Sequence, residues 1–230
     1  MDDRKFFLIA LVIILVVALS LCTINFKENI SDTKNHQTIS LGEVEIREYE
    51  GEDLSSINDF RENSIKGIQY IDINNYTLNI NGLVEEEKQY TYDEVINRQS
   101  YSKVITLHCV EGWSATILLE GTILRELLAE SKPLPSANTI IFHAYDGYST
   151  SYPIEYIMDQ DVLIAYKMNN ATIIPSRGFP FQLIAEDKWG YKWIKWIIAI
   201  EFSDDPNYRG YWESRGYSND GSLDGSFRRN

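Results

Sequence analysis

Few side chains in this sequence can do covalent or metal chemistry. The 230 residues include two cysteines and three histidines. Cys22 falls at the end of an apolar N-terminal run, so Cys109 stands alone in the rest of the chain, without a disulfide partner. A solitary thiol can be a small buried hydrophobe, a nucleophile or a soft metal ligand. Its setting favours a functional role. Residues 102–108 read as a strand that runs into Cys109, and Val110-Glu111-Gly112-Trp113 follows. A strand that stops at a glycine-permitted turn presents its last side chain to a cleft. Glu111, two residues on, shares that side of an extended chain, as a proton donor, a substrate-orienting group or simply an exposed carboxylate at a turn. His108 points to the opposite face and is a poor base for Cys109. His143 would have to approach from another strand, and so few histidines give little support to a Cys/His zinc site.

The elements that must position these groups belong to an acidic, globular chain. The formal net charge is −13, with 44% hydrophobic and 13% aromatic residues. That charge argues against a nucleic-acid surface and against a broad electrostatic grip on anionic lipid. Any anionic ligand must therefore be held by a local cluster of Lys and Arg.

Arg4 and Lys5 precede a run from Phe6 to Ile24 that is apolar but for a few small polar residues and about long enough to span a bilayer. The positive-inside bias then leaves residues 1–5 in the cytoplasm and the rest of the chain outside. Ala18-Leu19-Ser20 loosely fits a cleavage site and Cys22 a lipoprotein, but Leu21 is bulky for the latter, so an uncut signal-anchor over 6–24 is the expectation. Arg4-Lys5-Phe6-Phe7-Leu8 also has the look of a twin-arginine export signal with lysine in second place. Residues 25–53, rich in Asn, Ser, Thr and Glu, read as a flexible stalk, with a short strand open within 39–46.

From Leu54 the texture is that of a folded domain, expected to extend to residue 208. Tyr76, Leu78 and Ile80 alternate with polar residues and lead into an Asn81-Gly82 turn. Thr91 and Glu94 make a capping pair for a helix towards Arg98. Thr122 is a candidate cap for a second short helix carrying Leu124, Leu127 and Leu128, closed by Pro133 and Pro135. Strands are expected over 139–144, 149–152, 162–168, 181–185 and 192–202, with turns at Asp146-Gly147, Asn169-Asn170 and Arg177-Gly178. Such a pattern predicts an α+β domain of mixed or antiparallel sheet with a few short helices. Residues 209–230, polar and glycine-bearing, read as a loosely packed tail.

His108-Cys109-Val110-Glu111-Gly112-Trp113 resembles the cysteine motif of the sulfite oxidase-type molybdopterin oxidoreductases. The heme-free periplasmic branch, which includes the catalytic subunit of a protein-methionine-sulfoxide reductase, is most similar in pattern. Further matching runs are Tyr145-Asp146-Gly147-Tyr148, the stretch 161–166, Arg177-Gly178-Phe179-Pro180, the stretch 190–196 and Gly210-Tyr211-Trp212-Glu213 with Arg215-Gly216-Tyr217. In this order they cover about Leu54 to Tyr217. The resemblance implies a sulfite oxidase-like fold in which Cys109 is the protein ligand to molybdenum, the pterin dithiolene completing the site, in keeping with a soft donor. Lys192 and Lys195 match basic positions near the pterin phosphate, though in a regular strand they would face opposite ways unless the chain kinks. Arg177, beside Gly178, is another candidate grip, and Arg61 and Asn63 match a lead-in segment along the pterin. Gln182 stands where many relatives carry arginine, which weakens a literal sulfite oxidase assignment.

The implied activity is oxygen-atom transfer, with reduction of an S-oxide or N-oxide, small or protein-bound, favoured over sulfite oxidation. With no heme domain, electrons would pass through a separate membrane partner, a cytochrome or quinone-linked protein. Two other readings stay open. A non-catalytic ligand-binding or scaffold module would be indifferent to Cys109→Ser, and a thiol enzyme would be alkylated at Cys109.

Overall fold

The alternation expected around residue 78 is realised: Leu78 and Ile80 are wholly buried, and burying side chains of this kind contributes about 1.5–3 kcal/mol each. They lie on one strand of the computed structural model, which describes residues 43–229. The expected membrane span over 6–24 and the stalk as far as residue 42 lie outside the described residues. Among the described residues no helix is long and apolar enough to cross a membrane.

Twelve strands and three short α-helices occur among the described residues. One five-stranded sheet is antiparallel throughout. Its order is β10 (Ala171–Thr172), β9 (Leu163–Met168), β6 (Ser114–Ile123) and β5 (Tyr101–His108), and β11 (Gln182–Ile184) also pairs with β9. The other is mixed, in the order β4 (Lys88–Tyr90), β3 (Leu78–Gly82), β12 (Ile197–Ser203), β7 (Thr139–Ala144) and β8 (Ser149–Pro153). Its β3–β12 pair is parallel and the rest antiparallel. Buried side chains of both sheets join in a single cluster, so the expected α+β class with mixed and antiparallel sheet holds.

Local signals explain several junctions. Helix α1 (Tyr92–Ile96) starts on a capping box in which Thr91 Oγ1 accepts from the Glu94 amide and Glu94 Oε2 accepts from the Thr91 amide at 2.8 Å. Asn169 and Asn170, at φ 51° and 67°, make the tight turn between β9 and β10.

Four expectations need correction. Thr122 does not cap α2 (Leu124–Ala129): β6 keeps its ladder with β9 through Ile123, the cap position makes no side-chain bond, and Thr122 Oγ1 donates instead to the Val95 carbonyl. The strand expected over 192–202 begins only at Ile197. Before it come a 3-10 turn, Gly190–Lys192, and Trp196 at φ 53°, its indole donating to the Pro175 carbonyl at 2.8 Å. The stretch 43–53 is docked rather than free. It holds the hairpin β1 (Glu48–Tyr49) and β2 (Glu52–Asp53), and the Glu45 carboxylate accepts from the Ile57 amide and from Asn169 Nδ2 at 2.7 and 3.0 Å. The segment after Arg209 is packed as well. The Tyr211 amide donates to the Ser149 carbonyl at 2.9 Å, so this segment covers the free edge of β8. A side chain at Gly210 would meet that same carbonyl at 2.1 Å, so only glycine fits there.

Candidate active site

Cys109 sits where β5 ends. Its amide donates to the Trp113 carbonyl at 2.9 Å, and Gly112, at φ 88°, closes the turn into β6. That left-handed turn is why the sequence carries glycine there. The residue is largely buried, but it lines a cavity of about 520 Å³, within the range of roughly 300–1,000 Å³ typical of small-molecule sites. Burial pushes the Cys109 thiol up, opposed by the Glu111 amide and the Asn63 side chain, whose Nδ2 lies 3.6 Å from Sγ.

Glu111 meets three donors on one oxygen. Its Oε2 accepts from Arg61 Nη1 at 3.1 Å, and from Asn63 Nδ2 and Trp113 Nε1 at 3.3 Å each. The Asn63 and Trp113 bonds, with Arg61 beside them, hold its carboxyl below the usual carboxylate range. The group is thus fitted to accept and orient, and poorly fitted to donate a proton at neutral pH. Arg61 and Asn63 come from the lead-in segment, so two of the residues singled out in the sequence reach the Cys109–Glu111 turn from about fifty positions away.

The basic candidates divide. Arg177 is buried and spends its guanidinium on backbone, donating to the carbonyls of Ile57, Phe60 and Arg61 at 2.6, 2.5 and 3.3 Å and lying over the Phe60 ring. It lines the cavity, but its work is to shape the lead-in segment. Gly178, at φ 109°, does not line the cavity; a side chain there would press on Lys195 at 3.0 Å. Lys195 does line it, paired with Glu62 at 2.6 Å.

Lys192 is the clear correction. It is 0% exposed, does not line the cavity, and donates to Glu213 Oε1 at 2.8 Å and to the carbonyls of Ser151 and Asn219 at 2.7 and 2.9 Å. The chain does kink between the two lysines, yet the 3-10 turn sends Lys192 towards β8 and the C-terminal segment. The two histidines among the described residues also stay out: neither lines the cavity, and His143 Nε2 pairs with Glu201 at 2.9 Å on the mixed sheet. A Cys–His nucleophile is therefore not assembled.

Sequence reasoning missed three contributions. Trp212 and Tyr217, from the supposed tail, line the cavity, as do Asp146 and Tyr148 from the β7–β8 hairpin. Gln182, noted above only as a departure, is a buried lining residue whose Oε1 has no hydrogen-bond partner. The signal was present, since both runs were among those carrying the resemblance; the polar, glycine-bearing texture of the tail concealed it.

The donor set suits a molybdopterin. A single thiol offers the soft ligand, the deep wall of Leu107, Ile117, Met168, Trp193 and Ile194 offers an apolar bed for a ring, Gln182 offers an unmet polar atom, and Arg61, Arg177 and Lys195 supply positive charge.

Comparison with known proteins agrees. The family described as "Oxidoreductase molybdopterin binding domain" matches residues 65–212. The uncharacterized oxidoreductase YuiH of Bacillus subtilis is 28% identical over 149 residues, 64% of this chain and 75% of that protein. The protein-methionine-sulfoxide reductase catalytic subunit MsrP of Campylobacter jejuni is 25% identical over 163 residues, 64% of this chain but only 54% of its own length. In fold, the chain is similar to the sulfane dehydrogenase SoxCD from Paracoccus pantotrophus, with a TM-score of 0.60 at 22% identity, covering 67% of this chain and 43% of that one. With a thiol-lined cavity that suits such a cofactor and a family match over most of the chain, the protein belongs to the molybdopterin-binding oxidoreductases, with a sulfite oxidase-like fold.

Proposed function

We propose that this chain removes the oxygen of a neutral S-oxide or N-oxide, small or protein-bound, on the outer side of a membrane, with electrons from a separate membrane partner. The observation that carries this reading is the charge balance of the cavity. Three basic side chains line it (Arg61, Arg177, Lys195) against three acidic ones (Glu62, Glu111, Asp146). A phosphate-bearing cofactor tips that balance negative. Sulfite, an anion, then meets net repulsion, whereas an uncharged, dipolar oxide does not. Trp113, Trp212 and Tyr217 add aromatic faces for the apolar substituents of such an oxide.

When bound, molybdopterin supplies two-electron oxygen-atom exchange. The overall change takes up two electrons and two protons and releases the reduced substrate and water. The protein's share is positional. Cys109 would provide the sulfur ligand, and Asn63 bridges that sulfur and the Glu111 carboxylate. Glu111, fixed by Trp113 and Arg61, presents its other oxygen as an acceptor that orients a protonated group at the reacting oxygen. The apolar deep wall keeps bulk water away from the ring.

The apolar run 6–24 behind Arg4 and Lys5 supports the placement outside the membrane. That the Campylobacter relative is a catalytic subunit supports a separate electron partner. Purified protein loaded with molybdenum should oxidise a reduced viologen dye on addition of methionine sulfoxide, dimethyl sulfoxide or trimethylamine N-oxide. Sulfite with ferricyanide as acceptor should give little turnover. A kcat/KM for sulfite equal to or above that for the oxides would overturn the assignment.

A further inference from the structure

Gln182 is a lining residue of the cavity whose buried amide oxygen no protein group satisfies. It lies on β11 between Phe181 and Leu183, both wholly buried in the core. Strand alternation turns its carboxamide the other way, into the cavity. There it is 6% exposed and its Oε1 accepts no hydrogen bond. The buried apolar side chains around the same cavity include Leu107, Ile117, Met168, Trp193, Ile194 and Trp196. The two indole N–H groups among them are committed, Trp193 Nε1 to the Lys188 carbonyl at 3.1 Å and Trp196 Nε1 to the Pro175 carbonyl at 2.8 Å.

A buried amide oxygen without a donor is costly, and such groups are normally satisfied. The cations of the cavity are engaged elsewhere: Arg61 with Glu111, Lys195 with Glu62, and Arg177 with three backbone carbonyls. No protein group supplies the missing donor, which leaves it to a molecule bound in the cavity. Gln182 is uncharged, so it suits a neutral group better than a phosphate. A carboxamide offers an acceptor and a donor side by side, the complement of a heterocycle edge with an N–H next to a carbonyl or ring nitrogen. The amino-pyrimidinone ring of a pterin has such an edge.

We propose that Gln182 reads the heterocyclic end of the cofactor, its Oε1 accepting a ring or amino N–H and its Nε2 donating to the adjoining acceptor. This makes Gln182 a cofactor-recognition residue that adds no charge to the cavity, and it rests on the molybdopterin assignment made above.

Gln182→Met removes the amide at nearly constant volume, and its effect should have opposite signs in the two forms of the protein. Cofactor-free protein, made in a host unable to synthesise molybdopterin, should melt at or above the wild-type temperature because an unpaired buried group is gone. Protein from a competent host should retain about tenfold less pterin and molybdenum after dialysis, the loss expected from one or two hydrogen bonds. Pterin is read by the fluorescence of its oxidised product and molybdenum by elemental analysis. Gln182→Asn, which keeps the amide but withdraws it by one methylene, should lose cofactor in the same way without the gain in cofactor-free stability, and it serves if the methionine variant misfolds. Wild type loaded with pterin beside equally loaded variants would overturn this inference alone. Wild type free of pterin would overturn the cofactor assignment and this inference with it.

Discussion

Lys192 and Lys195 lie three residues apart and each meets a glutamate, yet the two pairs occupy opposite kinds of surroundings. Lys192 and Glu213 are both fully removed from solvent and closed off by Thr150 and two backbone carbonyls. Lys195 and Glu62 lie at the cavity, with 15% and 24% of their side chains exposed. Burial pushes both ammonium groups below the usual lysine range, against the pull of the neighbouring carboxylate. The lesson is that an ion pair's surroundings decide its work. The enclosed pair fastens the C-terminal segment to the 3-10 turn beneath the site. The open pair holds a cation ready at a wall where an anion can compete for it.

Breaking the enclosed pair should have the largest effect. Lys192→Met leaves Glu213 buried without its counter-charge and should cost about 3–5 kcal/mol of stability by urea unfolding. The double variant Lys192→Met/Glu213→Leu should recover most of that, and a single variant costing under about 1 kcal/mol would show the pair does not fasten the segment. Arg177→Ala comes next. It strips three backbone carbonyls of a charged donor and should destabilise by roughly 2–3 kcal/mol, with weaker cofactor retention as the lead-in segment loosens. Gly178→Ala forces a side chain into left-handed backbone against Lys195 and should cost about 1–2 kcal/mol, read as a lowered melting temperature.

Lys195→Met sharpens the contrast from the other side. In cofactor-free protein it should change stability by less than about 1 kcal/mol, while the molybdenum content of the loaded protein falls clearly. Salt gives an independent check: added chloride should weaken the Lys195–Glu62 coupling in a double-mutant cycle and leave that of Lys192–Glu213 nearly unchanged. Equal salt sensitivity would erase the distinction.

Much of the frame was legible in the sequence because its signals are local. The β3 alternation, the Thr91–Glu94 box and the Asn169–Asn170 turn depend on neighbours within a few residues. Lys192 was not legible, because its direction follows from a 3-10 turn and from Trp196 held at positive φ by Pro175, which lies 21 positions away. Thr122 carried a cap signal that lost to the β6–β9 ladder. The tail was misread because its anchors are distant in sequence, among them a buried carboxylate whose partner is 21 positions back and an amide on the β8 edge. At the site, Cys109 and Glu111 follow from strand period and turn. Asn63 and Arg61 have no local link to them and were reachable only through the resemblance.

Trp212 and Tyr217 complete one wall of the cavity, and that fixes an order of events in biosynthesis. On the ribosome the chain presents Cys109 about a hundred residues before it presents these two aromatics, so the nascent domain has an open-sided cleft until they emerge. The compartment is shut by a stretch translated well after the thiol it encloses.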